Sequence, residues 1–363
     1  MTIHKVTRSA LSQAIINAIG AVVPHYDIHL AFAAWGESRL TDPREKSLFR
    51  RMVERSGIGH RWSVLPSPNG GSPVDPGGFY AEGLPPTSER MARYAEHAPA
   101  LALAAIADLG ERASLGGVTH LVVASCTGFV APGIDQIIAA ALGLTRVERT
   151  LIGFMGCYAA VAALRTARHI VRSEPDARVL VVTVELSSLH LQEAQEIEPL
   201  LMMLQFGDGA AAALVTSEGT GFAIERPFSL TLEDSADLIG WQIGDRGFVM
   251  HLSGQVPGRI QGALEDEALR RAVTGAGDPS AIDSWAVHAG GRSILDAVAR
   301  GLALPADALD ASRSVLSRFG NMSSATLMFI LADLLRDPPR RKGVALAFGP
   351  GLAAEGFDFV RAD

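Results

Sequence analysis

Three junctions in this chain recur at almost one spacing. Val123 lies 165 residues before His288, Cys157 lies 164 before Asn321, and Val179 lies 165 before Val344. Around them, short runs rich in branched apolar residues alternate with helix-like segments. Strands are predicted at 118–124, 149–154, 178–185, 284–288 and 343–348, and helices at 88–109, 134–142, 156–172 and 325–335. Runs this apolar suit strands of a parallel-type sheet with both faces covered. The spacing leaves coincidence among α/β units open but favours a duplicated core, in which equivalent loops of the two halves meet. Cys157, His288 and Asn321 would then stand close together.

Composition narrows the function. With 363 residues, 48% of them hydrophobic and 20% charged, the chain is globular and needs no disulfide staples. A net charge of −7 disfavours binding to a phosphate backbone. The two cysteines, Cys126 and Cys157, form no C-x-x-C pair, which points to free thiols and a cytoplasmic protein. No apolar run reaches the roughly 18 residues of a membrane span. Lys5 and Arg8 ahead of the apolar stretch from Ala14 to Val23 loosely mimic a secretory signal, but Asn17 interrupts it and Pro24-His25-Tyr26 is a poor cleavage context. The segment from Pro66 to Pro86, dense in Gly and Pro, is a loop.

Three residues at junctions carry chemical promise. Cys157 follows a glycine at a strand-to-helix turn, where a helix N-terminus favours the thiolate; the plain alternative is a buried small hydrophobe. His288 ends an apolar strand before Gly290-Gly291 and suits the imidazole that a nucleophilic cysteine needs, though an isolated core histidine would look the same. Asn321 opens a helix in Phe-Gly-Asn-Met-Ser-Ser-Ala, either as its N-cap or as an amide donor aimed at an oxyanion.

Gly156-Cys157-Tyr158-Ala159, Val287-His288-Ala289-Gly290-Gly291, Gly320-Asn321-Met322-Ser323-Ser324 and Phe348-Gly349-Pro350-Gly351, in this order, resemble the signatures of type III polyketide synthases, the chalcone-synthase-like branch of the thiolase fold. The stretch from Ser125 to Gly133 fits a bacterial member. The resemblance implies an α/β fold of five layers (αβαβα). Its half at 1–220 would carry the nucleophile Cys157, and its half at 221–363 would carry His288 and Asn321. It also implies a homodimer, CoA thioesters as substrates and no further cofactor. Cys157 would accept an acyl group from an acyl-CoA starter. His288 and Asn321 would hold the enolate left when malonyl-CoA loses CO2, and repeated Claisen condensation would lead to alkylpyrones or alkylresorcinol-like phenols.

The same resemblance implies cavity roles for Phe206 as an aromatic gatekeeper, for Met250 where a second Phe is usual, and for Trp241 where plant relatives carry a small Gly. Cys126, Thr127, Ser187, His190 and Ser323 would line the cavity, and Gly349, Pro350 and Gly351 would shape its cyclization end. For Cys126, simple burial is the competing reading, and for Ser187 and His190 a solvated turn. Ala131 replaces a Met that in plant relatives reaches the partner's cavity. Arg51 and Arg55, four apart on one helix face, would bind CoA phosphates, with Leu48 breaking the family's basic triplet.

Competing readings are a ketoacyl-carrier-protein synthase III, which condenses once, and a silent acyl-CoA-binding protein on the same fold. Gly349-Pro-Gly351 is not a dinucleotide fingerprint, because the chain ends at Asp363 and Pro350 lacks an amide donor. His25 and His29, in strand-like surroundings, lack a third metal ligand. There is no Gly-x-Ser-x-Gly elbow.

Overall fold

The computed structural model describes residues 12–66, 72–275, 277–337 and 341–363. Lys5, Arg8 and part of the Gly/Pro-rich segment lie outside them; residues 72–86 of that segment are turns, as expected. The strands are β1 (Ile15–Val22), β2 (Tyr26–Asp27), β3 (Trp62–Ser63), β4 (His120–Ser125), β5 (Glu148–Gly153), β6 (Val179–Leu186), β7 (Asp208–Thr216), β8 (Gly221–Thr231), β9 (Ile239–Gly244), β10 (Gly247–Leu252), β11 (Ser284–Val287), β12 (Lys342–Gly349) and β13 (Ala353–Ala362). The helices are α1 (His29–Arg39), α2 (Pro43–Arg55), α3 (Thr87–Gly110), α4 (Ile134–Ala141), α5 (Ala159–Ser173), α6 (Ile197–Met203), α7 (Val256–Glu265), α8 (Glu267–Thr274), α9 (Arg292–Gly301), α10 (Asp310–Phe319) and α11 (Ala325–Arg336).

Nine strands form one mixed sheet in the order β11-β12-β13-β8-β1-β7-β6-β4-β5. Its two ends repeat one pairing scheme. β4 and β6 are parallel, β6 and β7 antiparallel, and β7 and β1 antiparallel; β11 and β12 are parallel, β12 and β13 antiparallel, and β13 and β8 antiparallel. β1 meets β8 between the two sets. The signal-like stretch is therefore a central strand. Its register slips at Asn17, whose side-chain amide donates to the Glu218 carbonyl at 2.8 Å.

Layering follows from strand alternation. In β4 and β6, Val122, Val179 and Val181 belong to one core, and Leu121, Val123, Leu180 and Val182 to another. The second core lies under α3, which packs on β1, β6 and β7. The first holds α5 and α11, which touch strands of both sets and so lie between them. α11 is buried almost all round, as its nearly unbroken apolar sequence requires. Truncating one of its leucines would cost about 2–5 kcal/mol. α8 packs against β8 and β12, and α7 packs on α8 and α9.

Three local expectations are corrected. Cys157 sits in a 3₁₀ turn, Gly156–Tyr158, ahead of α5. Asn321 is not a helix N-cap: α11 starts at Ala325, and Asn321 instead makes a bridge to Phe206. His29 begins α1 rather than lying in a strand.

Candidate active site

Each candidate residue is fixed by backbone geometry. Gly156 precedes Cys157 with φ +76°, and a Cβ there would stand 2.4 Å from the Pro350 ring. The same close packing seats the 349–351 loop on the cysteine turn, because a Cβ on Gly349 would meet Tyr158 at 2.5 Å. His288 leaves β11 with its amide donating to the Leu346 carbonyl at 2.8 Å. Asn321 is zipped to the segment before β7: its N–H donates to the Gln205 carbonyl at 2.8 Å, and Gly207 N–H donates to its carbonyl at 2.9 Å. The Asn321 Oδ1 accepts from Ser323 N–H at 2.9 Å, which orients the amide, and Nδ2 donates to the Gly290 carbonyl at 3.4 Å.

These residues line one mostly apolar cavity with an empty volume of about 1150 Å³, its open mouth included. The Ser323 hydroxyl and the Asn321 amide lie on the Cys157 side of the cavity, where both favour the ionised thiol. His288 is 2% exposed, and neither ring nitrogen has a partner among the described residues. Burial pushes the Cys157 thiol up to about 12 and the His288 imidazole down to about 4. This corrects the expectation of a helix-favoured thiolate. The loss of water outweighs the helix N-terminus, so burial favours the neutral thiol and the neutral imidazole.

The far wall is a polar-edged aromatic cluster. His190 Nε2 donates to the Thr127 carbonyl at 2.7 Å, and its Nδ1 accepts from Phe248 N–H at 3.0 Å. The imidazole stacks on Phe248 at 4.3 Å, and burial holds it down to about 3. Trp241 Nε1 donates to the Cys126 carbonyl at 2.9 Å and sets its ring edge-on to His190 and Phe248. Beneath them Glu185 is fully buried, bonded by Cys126 N–H at 3.0 Å, by Thr127 Oγ1 at 2.9 Å and by Ser324 Oγ. Burial raises its carboxyl to about 7 despite those donors.

Comparison with known proteins decides the family. Residues 4–219 match "Chalcone and stilbene synthases, N-terminal domain", and residues 228–361 match the C-terminal domain of the same description. The chain belongs to the chalcone and stilbene synthase family. Among its relatives, the "Alpha-pyrone synthesis polyketide synthase-like Pks18" of Mycobacterium tuberculosis is 33% identical over 96% of this chain and 92% of that protein. Type III polyketide synthase C of Arabidopsis thaliana is 34% identical over 66% of each. PKS-I of the brown alga Ectocarpus siliculosus superposes with a TM-score of 0.85 at 28% identity, covering 98% of this chain and 100% of that one. The type III domain of Steely1 from Dictyostelium, at 24% identity, shares the fold with the same TM-score. The chain thus has the thiolase fold of type III polyketide synthases and is an enzyme of that acyltransferase family.

Set against this synthase scaffold, Phe206, Met250, Trp241, Cys126, Thr127, Ser187, His190, Ser323, Gly349 and Pro350 all line the cavity, and Gly351 falls just outside it. Cys126 is both buried and cavity-lining, its sulfur accepting from Gly156 N–H at 3.0 Å. The solvated-turn alternative for His190 is overturned by its burial at 6% exposure. Arg51 and Arg55 lie outside the cavity, exposed on α2. Sequence reasoning missed Phe248, which strand alternation places on the same face as Met250. It also missed Arg61, a buried cation that donates to the Phe206 carbonyl at 2.9 Å and to His29 Nδ1 at 3.1 Å. Burial and the Arg61 charge lower the His29 imidazole to about 4. Among the described residues no three His, Cys, Asp or Glu side chains cluster as a metal site.

Proposed function

We propose that this synthase loads an apolar acyl group from an acyl-CoA onto Cys157 and extends it with malonyl-CoA by repeated decarboxylative Claisen condensation, releasing an alkylpyrone or an alkylresorcinol-like phenol. The observation that carries this reading is the convergence of Cys157, His288, Asn321 and Ser323 on one apolar cavity. A neutral His288 is the form that takes a proton. As Cys157 attacks the starter thioester, His288 receives the thiol proton and passes it to the departing CoA sulfur. Malonyl-CoA then enters, its thioester oxygen facing Asn321 Nδ2 and the His288 N–H. Loss of CO2 moves charge onto that oxygen, where each donor in such a water-poor site is worth about 2.7–4 kcal/mol. The resulting carbanion attacks the Cys157 thioester carbonyl; the carbon–carbon bond forms as the acyl–Sγ bond breaks, and the chain, two carbons longer and now a CoA thioester, passes back to the freed Cys157 for the next round.

Trp241, clamped on the Cys126 carbonyl, limits starter length, and the loop of Gly349, Pro350 and Gly351 shapes the cyclization end. Arg51 and Arg55 hold the CoA phosphates at the mouth. The reaction needs only CoA thioesters and no further cofactor. The division into halves at 1–220 and 221–363 is supported by the repeated strand pairing. A homodimer joined along the edge strand β5 is supported by Leu151 and Phe129, which are 46% and 45% exposed there. Two free thiols suit a cytoplasmic enzyme.

Incubation with octanoyl-CoA and malonyl-CoA tests the reading. Release of CO2 and of triketide or longer pyrones is expected, and Cys157→Ala abolishes the pyrones. Full turnover by that variant removes Cys157 as the nucleophile. A single extension that requires a malonyl carrier protein instead identifies a synthase III.

A further inference from the structure

α2 stands on the cavity wall. It packs on α1, which contributes Phe32 to the lining, and on α6, which contributes Met202 and Met203. Its last carbonyl, that of Arg55, accepts from Arg292 Nη1 at 3.1 Å, two residues before the lining Ile294. The opposite face of α2 meets solvent, and its composition is unusual for a purely solvated face. Arg44, Leu48, Arg51, Met52 and Arg55 fall at helical spacings of one stripe. Leu48 and Met52 are 42% and 44% exposed, and at the cavity rim Leu30, between the lining Ile28 and Phe32, is 79% exposed. In a chain of net charge −7, α2 carries five cations against Glu45 and Glu54. Arg50 is taken by Glu37 at 3.1 Å, whereas Arg44, Arg51 and Arg55 have no carboxylate partner among the described residues.

CoA phosphates explain two of these arginines. They do not explain leucine and methionine side chains held in water between them. A basic stripe with apolar teeth fits an acidic amphipathic helix, charge against charge and apolar side chain against apolar side chain. At this mouth, the partner whose cargo fits the cavity is one that carries an acyl chain on a phosphopantetheine arm. We propose that the α2 stripe docks an acidic acyl-carrier protein, which delivers starter acyl groups directly to Cys157. This rests on the synthase reading above. The thioester bond to the carrier's phosphopantetheine sulfur breaks as the Cys157 Sγ–acyl bond forms, and the thiol proton passes through His288 to the departing sulfur.

The test is single-turnover acylation of Cys157, read by intact-protein mass spectrometry, from octanoyl-CoA and from an octanoyl-loaded bacterial fatty-acid carrier protein. Both donors are expected to acylate the wild type. Leu48→Gln with Met52→Gln, which removes the apolar teeth without adding charge, should slow transfer from the carrier at least tenfold and from octanoyl-CoA less than twofold. Acylation by octanoyl-CoA alone overturns the inference but leaves the synthase reading intact; acylation by neither donor overturns both. Equal slowing of both donors assigns Leu48 and Met52 to CoA binding or folding and overturns the docking surface. So does binding of the stripe to vesicles containing 30% anionic lipid without transfer from the carrier.

Discussion

Replacing Trp241 by Ala tests how the cavity measures an acyl chain. The indole is held by one hydrogen bond to the Cys126 carbonyl and by edge contacts to His190 and Phe248 at 5.5 and 5.7 Å. Losing the bond costs about 1 kcal/mol and each edge contact about 0.5–1.5 kcal/mol, so the variant should be about 2–4 kcal/mol less stable. The gain is space at the far wall. Each methylene buried there returns about 0.8 kcal/mol, so two more carbons on the starter are worth about 1.6 kcal/mol, or about 15-fold in kcat/KM. The assay is competition among saturated acyl-CoA starters of even length at limiting enzyme, with products resolved by mass. The variant's preferred starter should be at least two carbons longer than the wild type's, with that longer starter favoured about 15-fold more. Destabilisation with an unchanged length profile would refute Trp241 as the stop and make it a structural clamp.

Other consequences follow from burial and from the donors. Iodoacetamide labelling of Cys157 should climb about tenfold per pH unit from pH 6 to 9, because the thiol lies near 12 and the imidazole near 4; a plateau already reached at pH 6 would mean a preformed ion pair. Asn321→Ala should lower malonyl-CoA decarboxylation by about 10²–10³-fold, while octanoyl transfer to Cys157 falls less than tenfold; equal losses in both steps would argue that Asn321 only shapes the cavity. Glu185 has its carboxyl raised from 4.5 to about 7, so its neutral form favours the fold below pH 4.5 and that contribution fades as pH rises through 7. Glu185→Gln lacks this dependence. The stability of wild type relative to the variant, from urea unfolding, should therefore fall by about 3 kcal/mol between pH 4.5 and 8, and a constant difference would show that Glu185 is ionised throughout.

The repeated core was legible because strands buried on both faces leave a plain mark. Val179 to Leu186 is apolar or β-branched at nearly every position, and the same run returns at Val344. The cavity was legible only where a motif pointed at it. Trp241 and Met250 were found by resemblance, yet period-two alternation in Gly247–Leu252 also places Phe248 on the Met250 face. Arg61 left no such mark. It reads as one cation in a basic stretch, and only the fold shows it buried beneath Phe206. The thiol was misjudged for a related reason. The helix N-terminus is visible in sequence, whereas burial is set by the fold, whose cavity brings Ile239, Met250 and Phe348 from distant segments into one lining with Cys157.

One arrangement gives the reaction its logic. In hydrolytic triads a carboxylate fixes the tautomer of the histidine. Here no side chain bonds either ring nitrogen of His288 among the described residues; the backbone is held where the His288 amide donates to the Leu346 carbonyl, and Gly290 lies against the ring edge. A carboxylate partner would stabilise the imidazolium and hold a proton there between steps. Loading needs a base that accepts the thiol proton and releases it at once to the CoA sulfur, and decarboxylation then needs a neutral donor facing a new oxyanion. In the proposed mechanism an unpartnered, buried imidazole would serve both steps, because burial favours its neutral form after each of them. In that proposal Asn321 would need no such freedom, since it would only donate. Its amide is accordingly pinned by Ser323 N–H, and its backbone is tied on both sides to the segment that carries Phe206.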